Sequence, residues 1–283
     1  PGWVAEGNYL LFSDPTATPI YRWSPDGRVS VFRTKSGYTG ADIGEYRQPG
    51  SNGLTLDAEG RLVIDEHGNR RVVRLERTGA ITVLADRYQG KRLNSPNDLV
   101  YKSDGALYIT DPPFGLPKAH GDPRKETPHS GVYRLAGDTL ELLVSDLSGP
   151  NGIAFSPDER TLYVSNWDPA RKVIMAYDVL PNGRVANGRV FFDITSHPGE
   201  DAWDGVKTDL RGNVYAAGPE GLYILSPEGR LLGTVTLPEH LANLAWGDAD
   251  RRTLYLTASG GLYRMRVNIP GFVPFGEAVQ ATR

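Results

Sequence analysis

The chain has no cysteine and only two methionines among its 283 residues. The missing cysteine removes disulfides, thiolate metal ligands and cysteine nucleophiles together, and it leaves the redox compartment open. Charge of one sign is also lacking: 31 Lys and Arg stand against 34 Asp and Glu, a net charge of −3. That balance suits neither a nucleic-acid binder nor a polybasic membrane binder. Long apolar runs are absent, Tyr9-Leu10-Leu11-Phe12 being among the longest, far short of the ~18 residues of a membrane helix. There is no charged, apolar, small-residue leader. The chain starts at Pro1 and not Met, as removal of an upstream segment, a targeting peptide included, would leave it. Of cytoplasm and periplasm, the cytoplasm is favoured.

Chemical templates are scarce as well. No Gly-x-Ser-x-Gly elbow, phosphate-binding loop or dinucleotide fingerprint occurs. The five histidines (His67, His120, His129, His197, His240) show neither HExxH nor paired spacing, which disfavours zinc. His67 follows the second-copy hairpin and reads as a loop histidine with a local hydrogen bond.

What is present is a soluble globular balance, 39% hydrophobic and 23% charged, with 33 glycines and 21 prolines that imply frequent turns. A weak internal repeat organises them. Residues 52–65, 97–111, 151–166, 204–217 and 243–257 each begin with Asn or Asp, continue as a short apolar run, turn at polar Gly/Asp positions and end in a Leu-Tyr-Val type run. A sixth copy opens the chain at Trp3–Asp14. Each is a hairpin by its residue types. Two further strand-like runs follow, for example Gly131–Leu135 with Leu140–Val144, and Gly221–Leu225 with Leu231–Val235. The last copy has Gly261–Val267 and no fourth strand, as expected if a segment upstream of Pro1 completes that sheet.

Six units of four strands predict an all-β fold, a six-bladed β-propeller with a central metal site. It is read as a single domain over 1–283, with a C-terminal tail from about 268 to 283. The Pro- and charge-rich stretch 112–130 is the largest insertion and reads as a lid.

The first strand of each propeller sheet lies nearest the axis, so the residue before it sits at one end of the channel. Those residues are Asn52, Asn97, Asn151, Asp204 and Asn243. A single Asn before a strand is ordinary, since Asn bonds its own backbone. Five oxygen-bearing side chains in one register describe a cage better suited to Ca²⁺ than to zinc. Asp14, Glu66, Asp111 and Asn166 share a second register. They either cap strand ends or line the rim of a substrate pocket.

These segments resemble the gluconolactonase, senescence-marker-protein and regucalcin-like propellers. The resemblance is carried by Leu93-Asn-Ser-Pro-Asn-Asp-Leu-Val-Tyr101, Ile109-Thr-Asp-Pro-Pro-Phe-Gly115, Glu66-His-Gly-Asn-Arg70, Pro150-Asn-Gly-Ile-Ala-Phe-Ser-Pro-Asp158 and Trp203-Asp-Gly-Val-Lys207, with Pro1-Gly-Trp3 at the start. It runs nearly end to end and looks closest to the bacterial gluconolactonase branch.

The resemblance implies a divalent metal, usually calcium with other cations possible, and hydrolysis of a small-molecule lactone. Asn151 and Asp204 match the metal residues, Asp204 also the proton donor and acceptor, and Asn97 the substrate contact. Asn52 and Glu66 are assigned to substrate with it. The family's metal Glu would fall just upstream of Pro1, and the substrate Arg of the animal branch is Ser95 here. A related lactonase, a phosphotriesterase and a non-enzymatic calcium-binding propeller are the alternatives.

Overall fold

Turn chemistry closes the hairpins. Asp57 Oδ1 accepts the N–H groups of Glu59 (3.0 Å) and Arg61 (2.8 Å), and Asp209 Oδ1 repeats this with Arg211 (2.8 Å) and Asn213 (3.0 Å). The glycines inside these turns, Gly60 at φ +73° and Gly212 at φ +80°, occupy the left-handed region where a Cβ is strained. The polar Gly/Asp turns of the repeat are therefore local instructions to reverse the chain.

The structure, a computed structural model, describes residues 1–275. It divides into two compact units, one of Pro1–Leu147 and one beginning at Ser148. In the first unit, antiparallel sheets run from Gly2 to Arg33, from Leu54 to Ala85 and from Leu99 to Val144, each of four strands in chain order. In the second, they run from Pro150 to Asp193, from Val206 to Thr236 and, with three strands, from Leu241 to Arg266. The fold is all-β, a six-bladed β-propeller with three blades in each unit.

Burial follows position in the sheet. Second strands such as Leu107–Asp111 and Val214–Gly218 are buried throughout, whereas the outermost Leu231–Thr236 is mostly exposed. In the first unit Leu11, Ile20, Leu54, Ile64 and Val73 interlock. In the second, Trp203, Val214 and Tyr223 pack with Ala154, Tyr163 and Ile174 of the preceding sheet. No helix among the described residues is long and apolar enough to cross a membrane.

Three segments add to the sequence expectations. A ribbon of Arg87–Tyr88 and Lys91–Arg92 follows the second sheet; two-residue strands are too short to show alternation. The 112–130 insertion holds one 3₁₀ turn, Ala119–Gly121, and Arg124 ties it to Tyr46 (2.9 Å) and Glu45 (2.7 Å). Past the sixth sheet, Leu210 N–H donates to Pro270 O (2.9 Å) and Phe272 N–H to Thr208 O (2.9 Å), which fastens the start of the expected tail to the fifth sheet. Residues 276–283 of that tail lie outside the described residues.

One second-strand position carries an energetic consequence. Asp65, Thr110 and Ala217 are equivalent, because each donates its N–H to the inner strand beside it, at Gly53 O (3.0 Å), Asp98 O (3.0 Å) and Gly205 O (2.9 Å). Ser165 takes the same place in the fourth sheet and donates from Oγ to Asp204 O (2.6 Å). Asp65 puts a carboxyl where Thr110 and Ser165 keep a hydroxyl and Ala217 a methyl group. It is fully buried and neither oxygen has a hydrogen-bond partner. Burial, then Asp98 and Asp111, push it well above the usual carboxylate range.

A group raised in the folded state contributes stability below its unfolded value, near pH 4, and that contribution is lost as pH rises through the folded value. Asp65→Asn is therefore expected to gain on the wild type with rising pH, by up to about 1.4 kcal/mol per unit. Urea unfolding at a series of pH values measures it. Asp111, pushed up to about 7 mainly by burial, titrates in both proteins, and its charge acting on Asp65 is part of the difference measured. A pH-independent difference between the two would show that Asp65 is not neutral in the folded protein.

Candidate functional site

Of the predicted site residues, the second unit holds Asn151 and Asp204. Asn151 lies in the innermost strand of the fourth sheet, Pro150–Phe155, where the register shifts between Pro150 and Ile153. Asp204 stands just before the innermost strand of the fifth, Val206–Thr208. Their backbones meet: Gly152 N–H donates to Asp204 O at 3.2 Å. The approach requires glycine, since a Cβ on Gly152 would lie 2.4 Å from that oxygen. Asn52-Gly53 and Asn151-Gly152 thus mark where adjacent inner strands touch. In the first unit Gly53 N–H donates to Asn97 O at 2.7 Å, bringing the Asn52 and Asn97 segments together in the same way.

This device also corrects the predicted register. Gly205 N–H donates to Ala242 O (2.9 Å), so Ala242 occupies the slot expected for Asn243. A register shift between Leu241 and Asn243 moves the asparagine one place on. Its Oδ1 then accepts the Leu244 N–H (2.8 Å), as Asp98 Oδ1 accepts that of Leu99 (3.0 Å). Four of the five side chains share the register.

The loop before Asp204 is clamped by buried side chains. Lys172, 1% exposed, donates from Nζ to His197 O (2.8 Å) and Gly199 O (2.6 Å), and Trp203 Nε1 donates to Lys172 O (3.0 Å). Asp204 N–H donates to Ala217 O (2.9 Å). Rigid backbone anchors of this kind fix where a carboxylate points.

Beside it stands a residue that sequence patterns missed. His240 Nδ1 lies 3.1 Å from Asp201 Oδ2 and Nε2 3.6 Å from Asp204 Oδ2. Its ring meets Trp167 edge-on at 5.4 Å. The hydrogen bond to Asp201, and next the Asp204 carboxylate, push the imidazole up to about 10. Burial would raise Asp201, yet the His240 hydrogen bond and charge hold it below its ordinary value. No spacing along the chain signals this meeting, because the histidine arrives from another blade.

The other assigned residues lie in the first unit. Asn97 is buried and Asn52 half-buried. Glu66 is buried, and its Oε2 accepts from Arg71 Nε (2.6 Å) and Asn69 Nδ2 (2.9 Å). Its register mates act as caps: Asp111 accepts the N–H groups of Asn94 and Ser95 (both 2.8 Å), and Asn166 Oδ1 accepts that of Gly149 (3.0 Å). His67 is buried with its ring nitrogens 3.0 Å from Pro96 O and Gln48 Oε1, and burial drives it down to about 4.

The Asn151 amide and the Asp204 carboxylate are hard oxygen donors, the type that Ca²⁺ takes. Two are fewer than its six to eight positions, and no group of three or more His, Asp or Glu among the described residues could hold a metal. The donor chemistry fits a hard cation; further oxygens from solvent or substrate would complete it.

A family profile described as the SMP-30/Gluconolactonase/LRE-like region matches residues 1–260. A gluconolactonase from Zymomonas mobilis is 38% identical over 280 residues, covering 96% of this chain and 78% of the relative. The solved gluconolactonase of Xanthomonas campestris superposes with a TM-score of 0.80 at 33% identity, covering 96% of this chain and 84% of that one. A calcium-binding regucalcin from Agrobacterium tumefaciens, at 18% identity and a TM-score of 0.73, covers 99% and 92% and shows the shared fold.

Proposed function

The chain belongs to the SMP-30/gluconolactonase/LRE-like family, and from that membership we propose that it hydrolyses a small sugar lactone such as glucono-1,5-lactone. The observation that carries the chemistry is the Asp204 carboxylate, one-fifth exposed, with Asn151 on the adjoining inner strand and His240 beside it. A divalent cation such as Ca²⁺ held by Asn151 and Asp204 would polarise the lactone carbonyl and favour the oxyanion formed there.

Asp204 accepts a proton from the attacking water and returns it to the departing ring oxygen. His240, oriented by Asp201, stands beside the Asp204 carboxylate and fixes its direction.

Acid release from glucono-1,5-lactone at constant pH tests the activity. Hydrolysis is expected to saturate with lactone, to fall at least about tenfold after chelation, and to return with Ca²⁺. An organophosphate triester turned over faster than the lactone would reassign the site to phosphoryl chemistry. Calcium that raises the melting temperature while no lactone opens would leave a binding propeller.

A further inference from the structure

We propose that the first unit carries a second ligand site, a pocket for a sugar-sized molecule bearing an oxyanion, gripped by Arg70 and Arg92. The cavity, about 310 Å³, is lined by Arg70, Arg92, Arg124, Tyr38, Tyr46 and Asp42 among others. That volume is at the lower end for small-molecule sites and suits a single ring with one charged group.

The guanidinium hydrogens decide its polarity. Arg124 is satisfied: Nη1 reaches Tyr46 Oη (2.9 Å) and Asp42 Oδ2 (3.3 Å), and Nη2 reaches Glu45 (2.7 Å). Tyr38 also donates to Asp42, so the one carboxylate lining the cavity is already engaged. Arg92 donates from Nη2 to the Asn69 carbonyl (2.8 Å).

Arg70 is the exception. Its side chain is 7% exposed, Nε donates to Leu93 O (2.7 Å), and Nη1 is 3.8 Å from Glu126 Oε1, beyond hydrogen-bond length. Nη2 is buried with no hydrogen-bond partner. Arginine cannot shed its proton to escape such a setting, and a buried charge left short of partners is costly. Burial and then the like charge of Arg92 both act against it.

The backbone points the same way. Arg70 sits at φ +60° and ψ +43°, ending the 3₁₀ turn His67–Asn69. A bulky residue held in the left-handed region needs a reason in its surroundings. Here the strain delivers the guanidinium to the cavity wall. Two forked donors make a receptor for a phosphate or carboxylate, and the stacked Tyr38 and Tyr46 rings, 4.5 Å apart, form a flat wall beside it.

Calorimetric titration of the full chain at fixed ionic strength tests this, with inorganic phosphate, glucose 6-phosphate, gluconate and neutral glucose as probes. A saturable anion response tighter than about 1 mM is expected, with glucose silent. Phosphate compounds or gluconate binding alone would identify the group as phosphate or carboxylate. Arg92→Gln should weaken binding at least tenfold while the ligand-free melting temperature stays constant, and Arg70→Gln should abolish it. Glucose binding as well as the anions, unchanged affinity in Arg92→Gln, or no saturable response to any probe would overturn the site.

Discussion

Asp204→Asn should lower kcat/KM for glucono-1,5-lactone about 10³-fold, a loss of about 4 kcal/mol in transition-state stabilisation. The substitution is nearly isosteric. It leaves the backbone clamps intact, because Ala217 O, Gly152 N–H and Ser165 Oγ all engage Asp204 main-chain atoms. What changes is the charge and the ability to take a proton, and general base catalysis alone accounts for about 10² to 10⁴. The drop should persist at saturating Ca²⁺, which separates the proton step from weakened cation affinity. Turnover equal to wild type under those conditions would remove Asp204 from the mechanism. His240→Gln gives a graded comparison. As a positioning residue it should cost about 10-fold, within the range of outer-partner substitutions, and fall on kcat more than on KM. Lys172 and Trp203 anchor the loop that carries Asp201 and Asp204, so thermal melts must accompany each rate.

Trp203→Ala should destabilise the second unit by about 3–5 kcal/mol. The indole is fully buried, meets Tyr223 edge-on at 4.9 Å and Phe192 at 5.9 Å, and donates to Lys172 O at 3.0 Å. Alanine would leave a large cavity and remove one of the two hydrogen bonds that Lys172 O accepts, the other coming from Ile194 N–H (3.0 Å). Phenylalanine restores most of the volume without the donor, so Trp203→Phe should lose clearly less. Urea unfolding followed by far-ultraviolet circular dichroism compares the three proteins. Equal stability of the alanine variant and wild type would mean that this part of the core is already loose. Because Trp203 immediately precedes Asp204 and anchors its loop, activity should decline ahead of the folded fraction.

The residues that specify hairpins were legible because their physics is local. Asp57 and Asp209 bond backbone groups two and four residues away, and a glycine completes each turn. Alternating apolar strands then stack, and the six-fold repeat leaves few other architectures. The Asn and Asp residues ahead of the inner strands could be read as a register for the same reason, and four of the five belong to it. Asn243 does not, since a one-residue shift beside Leu241 escapes any count along the chain. Sequence alone therefore set the blades and named Asn151 and Asp204. Only the folded chain brought His240 to Asp204 and left the Arg70 guanidinium buried beside Arg92. Turns are settled within five residues, whereas meetings between side chains of different blades depend on register shifts and loop paths that packing resolves as a whole.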